Sequence, residues 1–251
     1  MAEQPARRPR VEELAWQPTA MGDISLRRRR EPVTGADVLE IKLGDEFLMS
    51  SLFTVAEEEL ARLGLAMTRS SAEGGAAPLD VVVGGLGLGY TALTALDDAR
   101  VGSLVVVDAL AEVIDWHRAG LIPAGAVLTA DPRCRLVHAD FFAALASDAG
   151  LDPDAPGRQW DAVLVDIDHS PRHVLNPSHA SFYTPAGLQR LSEHLVPGGV
   201  FALWSNDPPD EPYLELLRTR LVDVRADVVT FPNPLQGRDA TNTVYLGRAP
   251  G

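Results

Sequence analysis

The N-terminal part of the chain contains two hydrophobic patterns with different periods. Over residues 37–49, apolar and polar positions alternate on both sides of the turn residues Gly44 and Asp45, which predicts a β-hairpin. Over residues 52–67, apolar residues recur at helical spacing, and the acidic run at residues 57–59 lies on the opposite side. We therefore expect a small hairpin followed by an amphipathic helix.

Two segments without a clear period border these elements. Residues 1–22 show little periodicity and are interpreted as a loosely held arm. Residues 68–78 are small, polar and glycine-rich, which is typical of a linker. The predicted organisation is a flexible arm over 1–22, a hairpin-and-helix unit over 23–67, a linker over 68–78 and an α/β domain over 79–251.

From residue 79 onward, short apolar runs alternate with helical segments. The predicted strands cover residues 79–83, 103–107, 135–138, 162–165, 200–204, 227–231 and 243–246. Alternation of strands and helices is typical of a parallel sheet with crossover helices. The fold class is therefore predicted as α/β, with a doubly wound, mostly parallel seven-stranded sheet whose last two strands form a hairpin.

Composition and charge limit the function classes. The chain has 251 residues, and 22 Lys+Arg against 35 Asp+Glu give a formal net charge of −13, which argues against a nucleic-acid partner. No apolar stretch approaches the roughly 20 residues of a membrane span, so no membrane partner is expected. The N-terminus lacks the apolar core of a secretory signal and Cys134 is a lone cysteine, so we expect a cytoplasmic location. A homodimer is an open alternative to a monomer.

A glycine cluster and an acid together indicate a nucleoside-type ligand. Gly85, Gly87 and Gly89 lie between a buried strand and a helix, where glycines permit a tight turn and let a ligand approach the backbone. Asp108 ends the next strand, where a carboxylate can accept both hydroxyls of a ribose. Asp140 ends the third strand, and it either accepts from an adenine amino group or caps the following helix.

The loop after the fourth strand, residues 166–183, is rich in polar side chains. In one interpretation it binds an acceptor: Asp166 and Asp168 hold an ammonium, and Asp166 or His169 takes its proton, because only a neutral amine is a nucleophile. The alternatives are a metal site built from Asp and His, and a capped polar loop without chemistry. Further candidate acceptor contacts are Tyr183, Asn206 and Asp207.

Four short motifs are shared with a known family. They are Gly84 to Gly89, Val107-Asp108, His138-Ala139-Asp140 and Val165-Asp166-Ile167-Asp168. They fall where the spermidine-synthase-like branch of the S-adenosylmethionine-dependent methyltransferase fold has its glycine loop, ribose acid, base-binding acid and catalytic-loop acids. The resemblance covers most of the chain, and residues 37–67 resemble a shortened version of that family's N-terminal domain. Aminopropyltransferases of the family have an acid in place of Gly87, which holds the amine of the donor.

The resemblance implies a transferase with S-adenosyl-L-methionine, or its decarboxylated form, as co-substrate and without a metal. The implied donor site is Gly85, Gly87, Gly89, Asp108 and Asp140, and the implied catalytic residues are Asp166, Asp168 and His169. Because the acid at position 87 is missing, methyl transfer to a small, cationic, amine-bearing acceptor is favoured. The alternatives are aminopropyl transfer from the decarboxylated donor to a polyamine, and a non-catalytic protein that binds a nucleoside and acts as a partner.

Overall fold

The chain folds around two β-sheets. The structure is a computed structural model that describes residues 11–68 and 77–251. The smaller, N-terminal sheet consists of β1 (Val11–Thr19), β2 (Gly22–Arg30), β3 (Asp37–Leu43) and β4 (Glu46–Ser50), in that order. The larger sheet consists of β5 (Leu79–Gly84), β6 (Val101–Asp108), β7 (Cys134–His138), β8 (Trp160–Val165), β9 (Leu195–Ser205), β10 (Val222–Asn233) and β11 (Arg238–Arg248).

Helices connect the strands of the larger sheet. They are α1 (Val55–Met67), α2 (Tyr90–Asp97), α3 (Ala111–Arg118), α4 (Gly125–Leu128), α5 (Phe141–Ala146), α6 (Pro185–Glu193) and α7 (Glu211–Arg218), with a 3₁₀ helix at Pro177–Ser181. Within residues 11–68 and 77–251, no helix is long and apolar enough to cross a membrane.

The larger sheet has the order β10-β11-β9-β8-β5-β6-β7. The pairs from β9 through β7 are parallel, whereas β11 pairs antiparallel with both β9 and β10. Residues of β5 alternate between the two faces: Val81 and Val83 pack into one core cluster and Val82 into the other. The predicted fold class, with its terminal hairpin, is confirmed.

The N-terminal sheet is larger than the predicted hairpin. Residues 11–19 form β1, which pairs antiparallel with β2, so the prediction of a loose arm over 1–22 is wrong from residue 11 onward; residues 1–10 lie outside the described part of the chain. The register shifts between Glu13 and Ala15, and this irregularity interrupts the alternation by which a strand is recognised. Arginines of β2 pair with acids on both neighbouring strands: Arg28 with Glu12 of β1, and Arg27 and Arg29 with Glu40 of β3.

Helix α1 packs on the larger sheet rather than on the N-terminal sheet alone. A Cβ atom at Gly64 would lie 2.6 Å from Leu164 Cδ2 and 3.2 Å from Ala202 Cβ, so the helix backbone approaches β8 and β9 closely. The Thr91 hydroxyl of α2 donates to the Glu57 carbonyl of α1 at 3.2 Å. The helix therefore joins the two sheets. Of the predicted linker over 68–78, residues 69–76 lie outside the described residues.

Candidate active site

The carboxyl ends of the parallel strands bring the predicted residues to one edge of the larger sheet. In the order of the strands, Asp140 follows β7, Asp108 ends β6, Gly85 follows β5, Asp166 follows β8 and Trp204 lies near the end of β9. All five line one pocket. Ligand sites of open α/β sheets lie at such an edge. The N-terminal sheet covers the pocket and contributes Met21, Ile41, Leu43, Leu48 and Met49 to its wall.

The glycine loop needs glycine for two separate reasons. Gly85 has φ +92°, and a Cβ there would overlap the carbonyl oxygen of Asp166. Gly87 has φ +46°, and a Cβ there would lie 2.7 Å from Met49 Sδ. The loop is thus wedged between the end of β8 and the N-terminal sheet. The third predicted glycine, Gly89, does not line the pocket; it packs beside Ala124 below the loop.

Asp108 fixes the shape of the glycine loop and also faces the pocket. One carboxylate oxygen accepts from the backbone N–H of Leu86 and the other from that of Leu110, both at 2.8 Å. Burial raises the pKa of Asp108, and these N–H groups oppose the shift. The N–H of Gly87 also lowers the pKa of Asp108 by hydrogen bonding. A carboxylate has about four lone-pair sites, so it can still accept from a ligand hydroxyl.

Asp140 takes one of the two roles that the sequence left open and lies where it could take the other. Its Oδ1 accepts from the backbone N–H of Ala143 at 3.0 Å, which caps α5. The residue also lines the pocket next to Phe141 and Phe142. A cap and a ligand contact are therefore compatible at this position.

Asp166 and Glu57 form an acidic pair in the pocket wall. Thr91 connects them, because its hydroxyl lies 2.7 Å from Asp166 Oδ2 and 3.2 Å from the Glu57 carbonyl. Burial raises the pKa of Asp166 to about 6. Burial, and then the nearby charge of Asp166, raise the pKa of Glu57 to about 8. Among the described residues that line the pocket, none is a lysine or an arginine.

Asp168 does not face the pocket as predicted. It is buried, and its Oδ1 accepts from the backbone N–H of Leu175 and lies 2.8 Å from His179 Nδ1. Its Oδ2 accepts from the Tyr183 hydroxyl at 2.9 Å. The pocket wall includes His179 and Leu175 but neither Asp168 nor Tyr183. Asp168 therefore holds the loop after β8 from outside the pocket, and Tyr183 is one of its donors.

The remaining predicted acceptor residues are divided between two places. His169 lines the pocket, and its Nε2 lies 3.7 Å from Glu46 of β4. Asn206 and Asp207 do not line it: the backbone N–H of Asn206 donates to the His169 carbonyl at 2.7 Å, and the Asp207 carboxylate lies 3.0 Å from His173 Nδ1. No group of three or more His, Cys, Asp or Glu side chains suited to a metal ion occurs within residues 11–68 and 77–251.

Glu57 is the pocket residue that sequence reasoning missed. The acidic run of α1 was assigned as a whole to the solvent side of the helix, yet only Glu58 and Glu59 pair with Arg62. The positions three and four residues after Glu57 are Leu60 and Ala61, both fully buried. Because such positions share a helix face, the sequence already contained a signal that Glu57 points inward.

The chain has the class I S-adenosylmethionine-dependent methyltransferase fold. Its larger sheet is parallel except for the antiparallel last strands, and glycines and acids lie at the carboxyl ends of the parallel strands. Within that fold, the chain is similar to spermidine synthases. The structure superposes on that of spermidine synthase from Thermotoga maritima with a TM-score of 0.68 at 16% sequence identity, over 94% of this chain and 72% of that chain. A spermidine synthase in complex with the transition state analogue AdoDATO gives a TM-score of 0.69 at 15% identity, over 94% of this chain and 73% of that chain.

A curated relative has a more similar sequence over a shorter segment. Polyamine aminopropyltransferase 2 of Pseudomonas aeruginosa is 31% identical over 149 residues, which are 57% of this chain and 38% of that protein. The match therefore spans less than half of that relative's length. No protein-family model matches the chain. The predicted resemblance to the spermidine-synthase-like branch of the fold is confirmed.

Proposed function

We propose that this protein transfers the aminopropyl group of decarboxylated S-adenosylmethionine to a small amine. The observation that carries the proposal is the acidic pair Glu57 and Asp166 in a pocket wall that has no lysine or arginine among its described residues. This replaces the favoured sequence interpretation, methyl transfer, by its alternative. Similarity to spermidine synthases and to an aminopropyltransferase supports the same choice.

The charge of the donor's tail distinguishes the two reactions. S-adenosylmethionine ends in an ammonium and a carboxylate, whereas its decarboxylated form ends in an ammonium alone. Two unit charges about 4 Å apart interact by roughly 4 kcal/mol near a protein surface. A carboxylate next to Glu57 and Asp166 would be repelled by whichever of the two is ionised, whereas an ammonium would be attracted on that scale and would favour the ionised form of both. The pair therefore selects the decarboxylated donor.

The donor would lie across the strand ends in the order of the sheet. Asp140 and the adjacent Phe142 would bind the adenine, and Asp108 would accept from the ribose hydroxyls. Gly85 and Gly87 line the pocket at the centre of the edge, and the Met49 thioether packs on Gly87, so the sulfur of the donor would lie next to the loop backbone and near Met49. The tail then reaches Asp166 and Glu57, which take the place of the acid that is missing at position 87.

Asp166 is placed to take the proton of the attacking amine. Its pKa is raised to about 6, which is close to neutral pH, and a group with such a pKa can both accept and release a proton. The bound donor supplies a sulfonium that activates its aminopropyl carbon. The nitrogen–carbon bond forms as the carbon–sulfur bond breaks, the electron pair stays on the sulfur of 5′-methylthioadenosine, and the nitrogen's proton passes to Asp166.

Asp168 would act as a positioning residue. It holds the loop after β8 through Leu175, His179 and Tyr183. It does not touch the reacting atoms in this proposal. Its substitution should lower kcat through the loop geometry and leave the ribose and adenine contacts in place. The backbone N–H of Asn206 also holds this loop, at the His169 carbonyl, and a side-chain substitution would leave that bond in place.

Product analysis tests the proposal. The full chain is incubated with each donor and a panel of primary amines, and the nucleoside product is identified by chromatography. We expect 5′-methylthioadenosine from the decarboxylated donor. Formation of S-adenosylhomocysteine from S-adenosylmethionine would contradict the proposal in favour of methyl transfer. Tight binding of the donor without product from any amine would favour the non-catalytic alternative.

A further inference from the structure

One wall of the pocket is apolar. In the strand order, β9 follows β8 on the side away from the proposed ribose and adenine contacts, and it contributes Trp204. The N-terminal sheet contributes the other apolar residues. The wall formed by these elements, here called the apolar wall, consists of Met21, Ile41, Leu43, Leu48, Met49 and Trp204.

The carboxylates closest in sequence to this region are engaged elsewhere. Asp168 accepts three hydrogen bonds behind the loop. Asp207 lies 3.0 Å from His173 Nδ1, and Asp210 accepts from Arg172 at 2.6 Å and 2.8 Å. Asp207 and Asp210 line a separate surface hollow with Arg172. Glu46 of β4 is largely exposed and lies 3.7 Å from His169 Nε2. The pocket carboxyls that neither this contact nor the proposed ribose and adenine contacts use are Glu57 and Asp166.

Aminopropyl transfer already uses both of these carboxyls. The donor's tail brings one ammonium, and the attacking nitrogen of the acceptor carries the proton that must be removed. A linear diamine would bring a third nitrogen, also charged, to the far end of the acceptor. That ammonium would lie against methionine, leucine and isoleucine side chains, and a buried charge without a partner is strongly disfavoured.

We propose that the acceptor is a primary monoamine whose remaining part is apolar, rather than a linear diamine. The inference rests on the proposed aminopropyl transfer. The bonds formed and broken, and the transfer of the proton to Asp166, are the same as in that reaction. The amine end of the acceptor lies at Asp166, and its alkyl or aromatic part contacts the apolar wall. The product is a secondary amine that carries one aminopropyl arm.

The test compares two acceptors that differ at one end only. Pentylamine has a methyl group where 1,4-diaminobutane has its second ammonium, so chain length is nearly matched. With decarboxylated S-adenosylmethionine and the full chain, we expect kcat/KM for pentylamine to be at least about tenfold higher than for 1,4-diaminobutane. A tenfold ratio is the effect expected when one ammonium has no carboxylate partner. Equal or higher kcat/KM for 1,4-diaminobutane would overturn the inference.

Binding separates this inference from the proposed function. The affinity of each amine is measured by calorimetry with 5′-methylthioadenosine present, which requires no turnover. If pentylamine binds more tightly but no aminopropyl group is transferred, the inferred acceptor class is supported and the proposed aminopropyl transfer is contradicted. Tighter binding of the diamine, or binding of neither amine, would overturn the acceptor class.

A carboxylate added to the apolar wall should reverse the preference. Leu48 is half-buried in the wall, and Leu48→Asp is expected to raise the diamine-to-monoamine ratio of kcat/KM by about tenfold. The neighbouring Phe47 is 46% exposed and does not line the pocket, so Phe47→Asp is the matched control and should leave the ratio unchanged. An unchanged ratio in the folded Leu48→Asp protein would count against the apolar wall as the acceptor contact.

Discussion

Glu57 combines a raised pKa with a place in the pocket wall, and both follow from its position on the inner face of α1. Within the described residues, its carboxyl has no ion pair, whereas the next two acids of the helix share Arg62. A carboxyl in this setting stays protonated at pH values where an exposed one is ionised. In the ligand-free protein the Glu57 carboxyl is therefore protonated near neutral pH, and a bound ammonium would lower its pKa and favour the ionised form.

The pH dependence of stability tests this state. Because the folded-state pKa of Glu57 lies above its unfolded value, the folded state is favoured at low pH, and this advantage is lost as pH rises from about 4.5 to about 8. Glu57→Gln removes the titration, so its free energy of unfolding should exceed that of the wild type by on the order of 2 kcal/mol at pH 8.5 and by much less at pH 5. Urea unfolding of the ligand-free proteins at both pH values measures the difference.

The control for Glu57→Gln is Glu59→Gln, which removes an acid from the solvent side of the same helix, where it pairs with Arg62. It reports the effect of losing one charge without losing a pocket carboxyl. If the stability difference between wild type and Glu57→Gln is the same at both pH values, the inward orientation of Glu57 is wrong.

Asp108 and Asp166 should separate binding from chemistry. Asp108→Ala removes the proposed ribose acceptor, and we expect the affinity for 5′-methylthioadenosine to fall about 10- to 100-fold, as for one hydrogen bond to a charged group. Asp166→Asn keeps the Thr91 contact available, so affinity should change by less than about threefold while kcat falls by roughly 10²- to 10⁴-fold. Calorimetry and single-turnover rates measure the two effects. Equal losses of affinity in both variants would contradict the division of roles.

At the scale of elements, the glycine loop and β4 are joined through Met49. The Leu88 N–H points at Met49 Sδ at 3.0 Å, and the same sulfur fills the space beside Gly87. Gly87→Ala should lower the free energy of unfolding by about 1–3 kcal/mol, from a clash with this sulfur and from the positive φ. In the Met49→Ala background the clash is absent, so the same change should be less destabilising. Thermal unfolding of the four proteins gives the coupling, and strictly additive effects would argue against the contact.

The sequence predicted the elements of the larger sheet well because each parallel strand is a short apolar run that ends in glycines or an acid. It failed at β1, where the irregularity beside Glu13 breaks the alternation. In the site, the strand-end positions Gly85, Asp108 and Asp166 could be placed in the pocket from the sequence, because parallel strands align their carboxyl ends. The direction of Asp168 could not, since its partners His179 and Tyr183 come from a 3₁₀ helix and loop without a period of their own.

At the scale of the whole molecule, the pocket has one wall on each sheet. Ligand binding should therefore stabilise the N-terminal sheet as well as the larger one. On addition of 5′-methylthioadenosine, we expect slower amide hydrogen exchange at residues 48–49 of β4 and at residues 85–88 of the glycine loop. Strand β10, at the far edge of the larger sheet, is the internal reference. Protection confined to the larger sheet would show that the two sheets respond independently.

The contact between Met49 and Gly87 also affects which residues can occur together at these two positions among homologues. The thioether occupies the volume that any side chain at position 87 would need. A side chain at position 87 therefore requires the Met49 side chain to move aside or to be replaced by a smaller one. Among homologous genes, bulk at one position should accompany the lack of a side chain at the other.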